Sequence, residues 1–271
     1  GASTDYPDGT SLDPTNAANV YGGSVASLDN YRLSTILAYD VTDGVKVYGG
    51  PVFSVIEANA AISFLSYDVD SDLDYGIGYL VGAAYEKPDI ALRVALTYRS
   101  EIRHEFDTVE TIGATSVNSQ TTIDLPQSLT LDFQTGIAPK TLLFGQVQWM
   151  DWSSFEISPP NYPLLASLGR PLVSYEEDWF TYTLGVGRQI NDNWSGAFSV
   201  TWEPQTNTEL TSLGPVDGRW QLGLGATYET EKVKISGGAS YAFLGDAENV
   251  LATDYSGGDA LGFGLRVGFK L

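Results

Sequence analysis

The sequence predicts an all-β fold, a transmembrane antiparallel β-barrel, from two observations. Apolar residues alternate with small or polar ones in segments that recur along the chain, and the helical period of apolar residues is nearly absent. Short turns also alternate with long polar connections. Short periplasmic turns and long external loops are typical of bacterial outer-membrane barrels, so we expect the chain to lie in the bacterial outer membrane.

The alternation is clearest at the C-terminus. One face of the last segment carries only apolar side chains, those of Leu261, Phe263, Leu265, Val267, Phe269 and Leu271. The opposite face carries Gly262, Gly264, Arg266, Gly268 and Lys270. Glycine at alternate positions suits an inner wall, where side chains from across a lumen need space. Eleven candidate strands of this kind begin near residues 31, 45, 75, 90, 123, 141, 179, 194, 219, 233 and 259.

The connections between these strands fall into two classes. Short turns are expected at residues 42–44, 86–89, 138–140, 191–193 and 229–232. Long external loops are expected at residues 65–74, 101–122, 153–178, 204–218 and 244–258. Residues 29–271 are therefore predicted to form the barrel strands with periplasmic turns and extracellular loops. Residues 1–28, rich in Asp, Gly, Pro, Ser, Thr and Asn, are predicted to form an external loop segment.

The number of strands leads to a further expectation. With the long loops outside, the first candidate strand runs inward and the last one ends in the periplasm. A single-chain bacterial barrel with both ends in the periplasm has an even number of strands. Eleven candidate strands would therefore need an odd number of additional ones, and residues 1–28 are too polar to supply them. We expect the additional strands to lie N-terminal to this sequence.

The composition disfavours several functions. A net charge of −20 argues against binding to nucleic acid, because phosphates require a basic surface. The absence of cysteine excludes disulfides, thiolate metal sites and a cysteine nucleophile. We expect no cofactor and no resident metal.

Six short segments, taken together, resemble one known family. They are YGGSV at 21–25, LTYRSEI at 96–102, DLP at 124–126, Trp149 with WSSF at 152–155, LGV at 184–186 and NDNW at 191–194. Their order and spacing are similar to those of the FadL family, outer-membrane transporters of long-chain fatty acids and other hydrophobic compounds. The resemblance implies a fourteen-stranded barrel with an N-terminal hatch. This chain would contain the last eleven strands and lack the hatch and the first three.

Six residues are candidate ligand contacts: Arg99, Phe155, Leu164, Leu165, Arg170 and Tyr175. The segment 153–178 is unusually apolar for an external loop. Two interpretations stay open for it, a capture groove for acyl chains and a loop folded against the barrel mouth.

Five cations fall on the predicted lumenal face: Arg32, Arg93, Arg99, Arg266 and Lys270. Most are expected to pair with inward acids such as Asp40 and Asp132. One or two are candidates for holding a substrate carboxylate, because arginine forms bidentate pairs with that group. The resemblance implies head-group cations in the fifth strand, where residues 55–62 contain none, so a neutral or differently anchored substrate stays an alternative.

Two further patterns have a structural explanation beside a functional one. Asp68, Asp70 and Asp72 repeat like the start of a calcium loop, but the glycine and glutamate of that motif are absent. We expect an acidic loop tip, with weak cation bridging to lipopolysaccharide as the alternative. His104, the only histidine, is expected to be solvated in a loop, because no nucleophile motif accompanies it.

The resemblance implies a channel for passive uptake of hydrophobic small molecules, foremost long-chain fatty acids. Loops would capture the ligand and pass it to a lumenal pocket, and no reaction would be catalysed. The expected partners are the ligand, outer-membrane lipid and lipopolysaccharide, around a monomeric barrel completed by its own N-terminal segment. A general porin, a surface adhesion barrel and a barrel enzyme built on His104 are the alternatives.

Overall fold

The computed structural model describes residues 2–6, 22–206, 208, 210–211, 213–214, 216–248 and 254–269. Twenty β-strands occur in this part of the chain: β1 (Ala2–Asp5), β2 (Val25–Ser34), β3 (Leu37–Thr42), β4 (Val45–Ile62), β5 (Tyr67–Ser71), β6 (Asp74–Lys87), β7 (Leu92–Arg99), β8 (Ile102–Ile112), β9 (Thr115–Leu125), β10 (Ser128–Ala138), β11 (Thr141–Met150), β12 (Glu156–Ile157), β13 (Val173–Ser174), β14 (Trp179–Gln189), β15 (Trp194–Glu203), β16 (Arg219–Glu229), β17 (Val233–Leu244), β18 (Ala247–Glu248), β19 (Asp254–Tyr255) and β20 (Asp259–Phe269). Helical elements are one short helix, α1 (Pro163–Leu168), and 3-10 turns at Ser63–Leu65, Pro88–Ile90 and Trp152–Ser154.

Within the described ranges, no helix is both long and apolar enough to cross a membrane.

Sixteen strands form one antiparallel sheet, which confirms the predicted fold class. Its wall runs in the order β20-β17-β16-β15-β14-β11-β10-β7-β6-β4, and β2 and β3 follow one another along the far side of β4. Counting β2 and β3 as one interrupted position gives eleven wall positions. Nine of the eleven predicted strand starts lie within two residues of the first residue of a wall strand. The short turns and long connections alternate as predicted.

Two predicted strand starts are wrong. The first wall strand begins at Val25 instead of near residue 31, because residues 25–28 pair with β1. The segment 1–28 thus contains β1 and the start of β2, and residues 7–21 lie outside the described residues, Tyr21 of the YGGSV match among them. The strand predicted near residue 123 starts at Ser128, because Ile123 belongs to β9 and Pro126 separates the two strands.

Side chains alternate between two faces of the wall. On β16 the apolar residues Leu222 and Leu224 are exposed on the outer face, Leu224 by 66%. Their neighbours Gly223 and Gly225 lie on the opposite, lumenal face, together with Thr227, which hydrogen-bonds to Ser236 of β17 at 2.9 Å. An apolar outside and a small, polar inside are what a barrel in lipid requires. The last two residues of the C-terminal pattern, Lys270 and Leu271, lie outside the described residues.

Aromatic rings mark two levels on the outer face. Tyr182, Trp202 and Trp220 are successive cross-strand partners near the strand ends that carry the long connections, called the external ends from here on, with ring centroids 5.5 and 5.7 Å apart. Trp194 and Tyr228 form a second level near the short turns, 5.1 Å apart. Eight residues separate Trp194 from Trp202, about 27 Å along the strand and about 20 Å along the normal at a tilt of about 40°. This spacing is close to the apolar band of outer-membrane barrels, about 25 Å.

The segment 101–122, predicted as a loop, is a β-hairpin made of β8 and β9. Its far end pairs with β5, and β5 pairs with the external end of β4. Its base lies against the lumenal face of β6, where Gly76 and Gly78 leave room for it. A Cβ atom on Gly78 would lie 2.6 Å from Cγ1 of Ile102, and one on Gly76 would lie 2.8 Å from the ring of His104. The two glycines therefore allow the hairpin to seat inside the wall.

His104 is fully buried at this crossing, so the expectation of a solvated histidine is wrong. Its Nδ1 lies 2.8 Å from Oδ2 of Asp74, and its Nε2 lies 3.1 Å from Oγ of Ser54. The ring stacks on Phe106 at 6.0 Å. Three strands that are distant in sequence supply this Asp-His-Ser group, and Ser54 is only 1% exposed. The group joins the hairpin to the wall, with His104 and Ser54 buried and Asp74 partly exposed.

Candidate ligand-binding cavity

A cavity of about 380 Å³ lies at the external end of the wall. It is enclosed by β2, β4 and β5, by the hairpin β8–β9, and by residues 150–175. Cavities of about 150 Å³ already hold benzene in other proteins, and ligand pockets commonly measure about 300–1,000 Å³. The space is therefore large enough for a small organic molecule.

Most of the cavity wall is apolar. Phe106, Ile123 and Leu125 of the hairpin line one side, and Leu28 and Ala58 of β2 and β4 line another. The hairpin residues are nearly fully buried because they also belong to the main apolar cluster of the structure. The alternation of buried and exposed positions along β8 and along residues 119–125 of β9 is what points these side chains inward.

Four aromatic rings form the roof. Trp152 packs against Phe155 at 5.2 Å, Tyr175 at 5.1 Å and Trp179 at 5.3 Å, in edge-on or tilted contacts. Trp152, Phe155 and Tyr175 contact the cavity directly. Burial raises the pKa of Tyr175, so its phenol stays neutral. The sequence singled out Phe155 and Tyr175 as ligand contacts and gave Trp152 only as part of a family motif.

The hydroxyl groups of the wall are concentrated on the hairpin. Thr108 and Thr121 are 4% exposed, and their Oγ1 atoms lie 3.2 Å apart. Thr108 also contacts the hydroxyl of Ser119 at 2.7 Å. These groups satisfy one another, so the hairpin side of the cavity presents few free hydrogen-bonding atoms to a ligand.

Arg32 is the only charged residue in the cavity wall among the described residues. Arg32 and Arg99 both lie on the lumenal face of the wall. Arg99 lies on the lumenal face of β7, opposite Ser128, which itself lines the cavity. In the part of the chain that the structure describes, neither arginine forms an ion pair with a carboxylate.

Only some of the other lumenal charges form the ion pairs that the sequence predicts. Arg93 pairs with Glu86 at 3.2 Å, as a structural partner should. Asp132 accepts a hydrogen bond from Gln146 at 2.9 Å instead of pairing with an arginine. Asp40 contacts Lys46 at 3.8 Å near the short turn of β3 and β4. Lys270 lies outside the described residues.

The remaining candidate contacts lie away from the cavity. Leu164 and Leu165 belong to α1 and pack against the apolar cluster without lining the space. Arg170 is exposed in the same loop. The segment 153–178 therefore folds over the barrel mouth, and some of its residues also line the cavity. Both interpretations of this segment, a capture groove and a loop folded against the barrel mouth, thus describe part of it. A role of Leu164, Leu165 and Arg170 in ligand binding stays a prediction.

The ends of this segment are fixed by Asp178. Its carboxylate accepts hydrogen bonds from Oγ of Ser153 at 2.7 Å, from the Ser153 amide at 3.2 Å and from Nε1 of Trp149 at 2.9 Å. Burial by itself raises the pKa of Asp178, but the bonds from Ser153 and Trp149 outweigh it and hold this pKa below its usual value. The Trp149 and WSSF motif thus anchors the loop.

The acidic repeat shows no metal site. Asp68 and Asp70 lie side by side on β5, where burial and the charge of Asp70 raise the pKa of Asp68. The amide of Asp72 donates to the carbonyl of Asp107 at 3.2 Å. No group of three or more ligating side chains able to hold a metal occurs among the described residues.

The sequence missed the contributions of the hairpin and of Arg32 to one site. Ile102, His104, Phe106, Thr108 and Glu110 alternate with exposed residues, a period that predicts a strand where a loop was expected. Arg32 was recognised as lumenal, but its place in the cavity wall depends on the register of its strand with β4.

Comparisons with known proteins agree with this architecture. A family model described as outer membrane protein transport protein (OMPP1/FadL/TodX) matches residues 1–265. A Pseudomonas putida toluene transporter, TodX, has 10% identity and a TM-score of 0.63, with 98% of this chain and 74% of that chain covered. The Ralstonia pickettii toluene transporter TbuX has 15% identity and a TM-score of 0.59, with 81% and 64% covered.

The monoaromatic hydrocarbon channel CymD has 14% identity and a TM-score of 0.57, with 82% of this chain and 70% of that chain covered. Comparison with curated proteins gave no match. The similar structures support the fold, and the family match extends over nearly the whole chain. The chain belongs to the OMPP1/FadL/TodX family of bacterial outer-membrane transport proteins, which are β-barrel channels for hydrophobic compounds and not enzymes.

Proposed function

We propose that this channel takes up long-chain fatty acids, with the carboxylate at Arg32 and Arg99 and the acyl chain in the apolar cavity. The observation that carries the proposal is that Arg32 in the cavity wall and Arg99 beside Ser128 have no paired carboxylate in the described residues, at the edge of an apolar space. Two positive charges that face the same lumen repel one another, and an anion between them relieves this repulsion. A carboxylate suits both, because arginine binds it through two parallel hydrogen bonds.

The proposed route is passive. A ligand enters at the external side, binds in the cavity and moves on toward the periplasmic side by diffusion. A second space of about 890 Å³ lies near the short turns, and small residues such as Gly187, Gly196 and Gly225 form part of its lining. No reaction, cofactor or energy source is part of this proposal. We also propose that the barrel works as a monomer in contact with outer-membrane lipid and lipopolysaccharide.

A second candidate class is small aromatic hydrocarbons. It is favoured by the ring cluster of Trp152, Phe155 and Tyr175 over the cavity, since aromatic rings pack well edge-on against one another. The similar structures of toluene transporters point in the same direction. A general porin is less well supported, because the hairpin and the segment 153–178 fill the external end of the wall. An adhesion barrel would not need a cavity.

Equilibrium binding to the purified protein separates these candidates. The ligands are a long-chain fatty acid, the alcohol of the same chain length, and toluene, each titrated by calorimetry. We expect the acid to bind more tightly than the alcohol. Arg32→Gln and Arg99→Gln should each weaken acid binding about tenfold, the worth of one charge-assisted hydrogen bond, and leave alcohol binding unchanged. Arg103→Gln is the matched control, because Arg103 pairs with Asp124 at 2.8 Å on the exposed side of the hairpin.

The outcome against the proposal is clear. If acid and alcohol bind equally well to the wild type, and the arginine variants change neither, no carboxylate site exists at Arg32 and Arg99. Tight binding of toluene with no binding of the acid would support the hydrocarbon candidate instead. Liposome swelling with small sugars would support a general porin.

A further inference from the structure

The cavity is covered on the external side by residues 155–175, called the lid from here on. The lid contains the short pair β12–β13 and the helix α1. Phe155, Ile157, Leu172 and Val173 turn their side chains toward the cavity, and Leu172 and Val173 are 9% and 7% exposed. A ligand arriving from outside must pass the lid.

The lid is joined to the hairpin at Glu110, whose side chain is fully buried. Its carboxylate accepts hydrogen bonds from the hydroxyl of Tyr67 at 2.8 Å and of Ser119 at 2.5 Å. From the lid it accepts the backbone amide of Asn161 at 3.0 Å and Nδ2 of the same residue at 2.9 Å. Within the described residues no lysine or arginine pairs with it. Burial and the Glu110 carboxylate raise the pKa of Tyr67, so its hydroxyl remains a donor.

A buried carboxylate without a cation is a costly way to fasten a loop. The apolar contacts of the lid, which include Phe155, Leu172 and Val173, resist opening, because separating them exposes apolar surface to water. A carboxylate joint behaves differently. When the lid lifts, water replaces the two bonds from Asn161, while Tyr67 and Ser119 continue to hold Glu110. The joint is therefore strong when closed and readily rehydrated when open.

The ends and the middle of the lid are held by different contacts. Asp178 fixes the ends of the segment through Ser153 and Trp149. Asn161 lies near the middle of the lid, and its only side-chain partner in the described residues is Glu110. Next to it, the ring of Tyr162 packs edge-on against Tyr67 at 5.2 Å, and at the far end Thr211 donates to the carbonyl of Leu172 at 3.3 Å. Opening of the lid about its fixed ends would have to break the Asn161 contact.

We propose that residues 155–175 open and close over the cavity, and that Glu110 is the latch that holds them closed through Asn161. The proposal deepens the proposed function, since it describes how a ligand would reach the cavity. The opening itself is a property of the protein without ligand. It can therefore be tested without reference to what the cavity binds.

The test measures how often the covered side of the lid meets water. The chain has no cysteine, so Val173→Cys introduces a single reporter that the closed lid hides. The full-length protein is displayed on intact cells, and a membrane-impermeant maleimide is added from outside, with no ligand present. We expect Glu110→Gln to increase the labelling rate at the reporter about tenfold, because an amide cannot accept the same donors. Asn161→Ala should give a smaller increase, because the backbone bond remains.

A second reporter separates opening of the lid from general loosening. Ala242→Cys lies on the lumenal face of β17, outside the lid, where Ala242 is only 6% exposed, and should label at one rate in both backgrounds. Equal rates at Val173→Cys with and without Glu110→Gln would overturn the latch. Equal acceleration at both reporters would overturn it as well, since it would show that the whole external region had loosened. If Glu110→Gln does not yield a folded barrel, Asn161→Ala decides the question alone. Absence of fatty-acid binding would leave this result untouched.

Discussion

The imidazole Nε2 of His104 and the hydroxyl of Ser54 lie 3.1 Å apart, at the place where the hairpin β8–β9 crosses the inside of the wall. Asp74 completes the contact on the other side of the ring. These residues come from β8, β4 and β6, so one side chain fastens the base of the hairpin to two wall strands. The cavity depends on this arrangement, because Phe106 lies two residues after His104 on the same face of β8 and lines the space.

The first prediction concerns His104. Replacing it by leucine removes two hydrogen bonds, while Ser54 keeps its bond to Asn30 and Asp74 keeps the bond from the Glu105 amide, so we expect a loss of about 0.5–1.5 kcal/mol for the bond to Ser54 and about 1.5–3 kcal/mol for the bond to the Asp74 carboxylate. His104→Leu should therefore lower the free energy of unfolding, and His104→Gln, which keeps one hydrogen bond, should lower it less. Denaturant unfolding in detergent measures the difference. Equal stability of wild type and His104→Leu would contradict a structural role for this group.

The second prediction concerns the seat of the hairpin. A Cβ on Gly76 would meet the ring of His104 at 2.8 Å, so Gly76→Ala must displace the hairpin or the wall. Overpacking of this kind costs about 1–3 kcal/mol. Gly264→Ala is the matched control, because no atom lies within 4 Å of the Cβ it adds on the lumenal face of β20. The temperature at which the folded band disappears on gels should fall for the first variant and stay constant for the second.

The third prediction tests which face of the wall meets lipid. Leu224 is paired with Phe198, midway between the aromatic levels of Trp194 and Trp202. An arginine there should cost about 2–4 kcal/mol, the value for a charge at the bilayer midplane. The neighbouring Gly225 points into the lumen, where its Cβ would have its nearest neighbour at 3.8 Å, so Gly225→Arg should be tolerated better. Folding into lipid vesicles measures both. The opposite order of stabilities would reverse the assignment of the two faces.

The sequence alone predicts which wall residues face lipid and which face the lumen. Lipid on one side and a polar lumen on the other require apolar and small or polar residues to alternate along each strand. Leu224 and Gly225 differ in a way that can be read along a single strand. The environment of His104 cannot be read in this way. Its partners Asp74 and Ser54 are 30 and 50 residues distant, and only the register of four strands brings them together.

Only part of the candidate site could be predicted from the sequence. Phe155 and Tyr175 stand out as apolar and aromatic residues in an external segment, and the structure places both at the cavity. Leu164 has the same sequence character, yet it packs outside the cavity because α1 turns it toward the apolar cluster. That Arg32 lines this cavity and Arg99 lies beside it depends on how distant strands are arranged, for which one strand gives no sign.

The fourth prediction is a pH dependence at the base of the lid. The pKa of Asp178 is lower in the folded protein than the ordinary carboxyl value of 3.8, because of the bonds from Ser153 and Trp149. Its contribution to stability is therefore complete above about pH 4 and is lost as the pH falls through the lowered value. Hydrogen exchange at the Ser153 amide, corrected for its intrinsic rate, should show protection that disappears on acidification. In Asp178→Asn the protection should be weak at every pH, and a pH-independent wild type would count against this anchor.

The most direct test of the account is transport through the cavity itself. Ala58 lines the cavity and is half-buried, so Ala58→Trp fills part of the space from the wall. Leu222→Trp places the same side chain on the lipid face as a control. Both variants of the full-length protein are compared for uptake of a labelled long-chain fatty acid by cells that lack other such transporters, after the folded barrel is verified on gels. The account predicts uptake near background for Ala58→Trp and normal uptake for Leu222→Trp; normal uptake by both would contradict the claim that the ligand passes through this cavity.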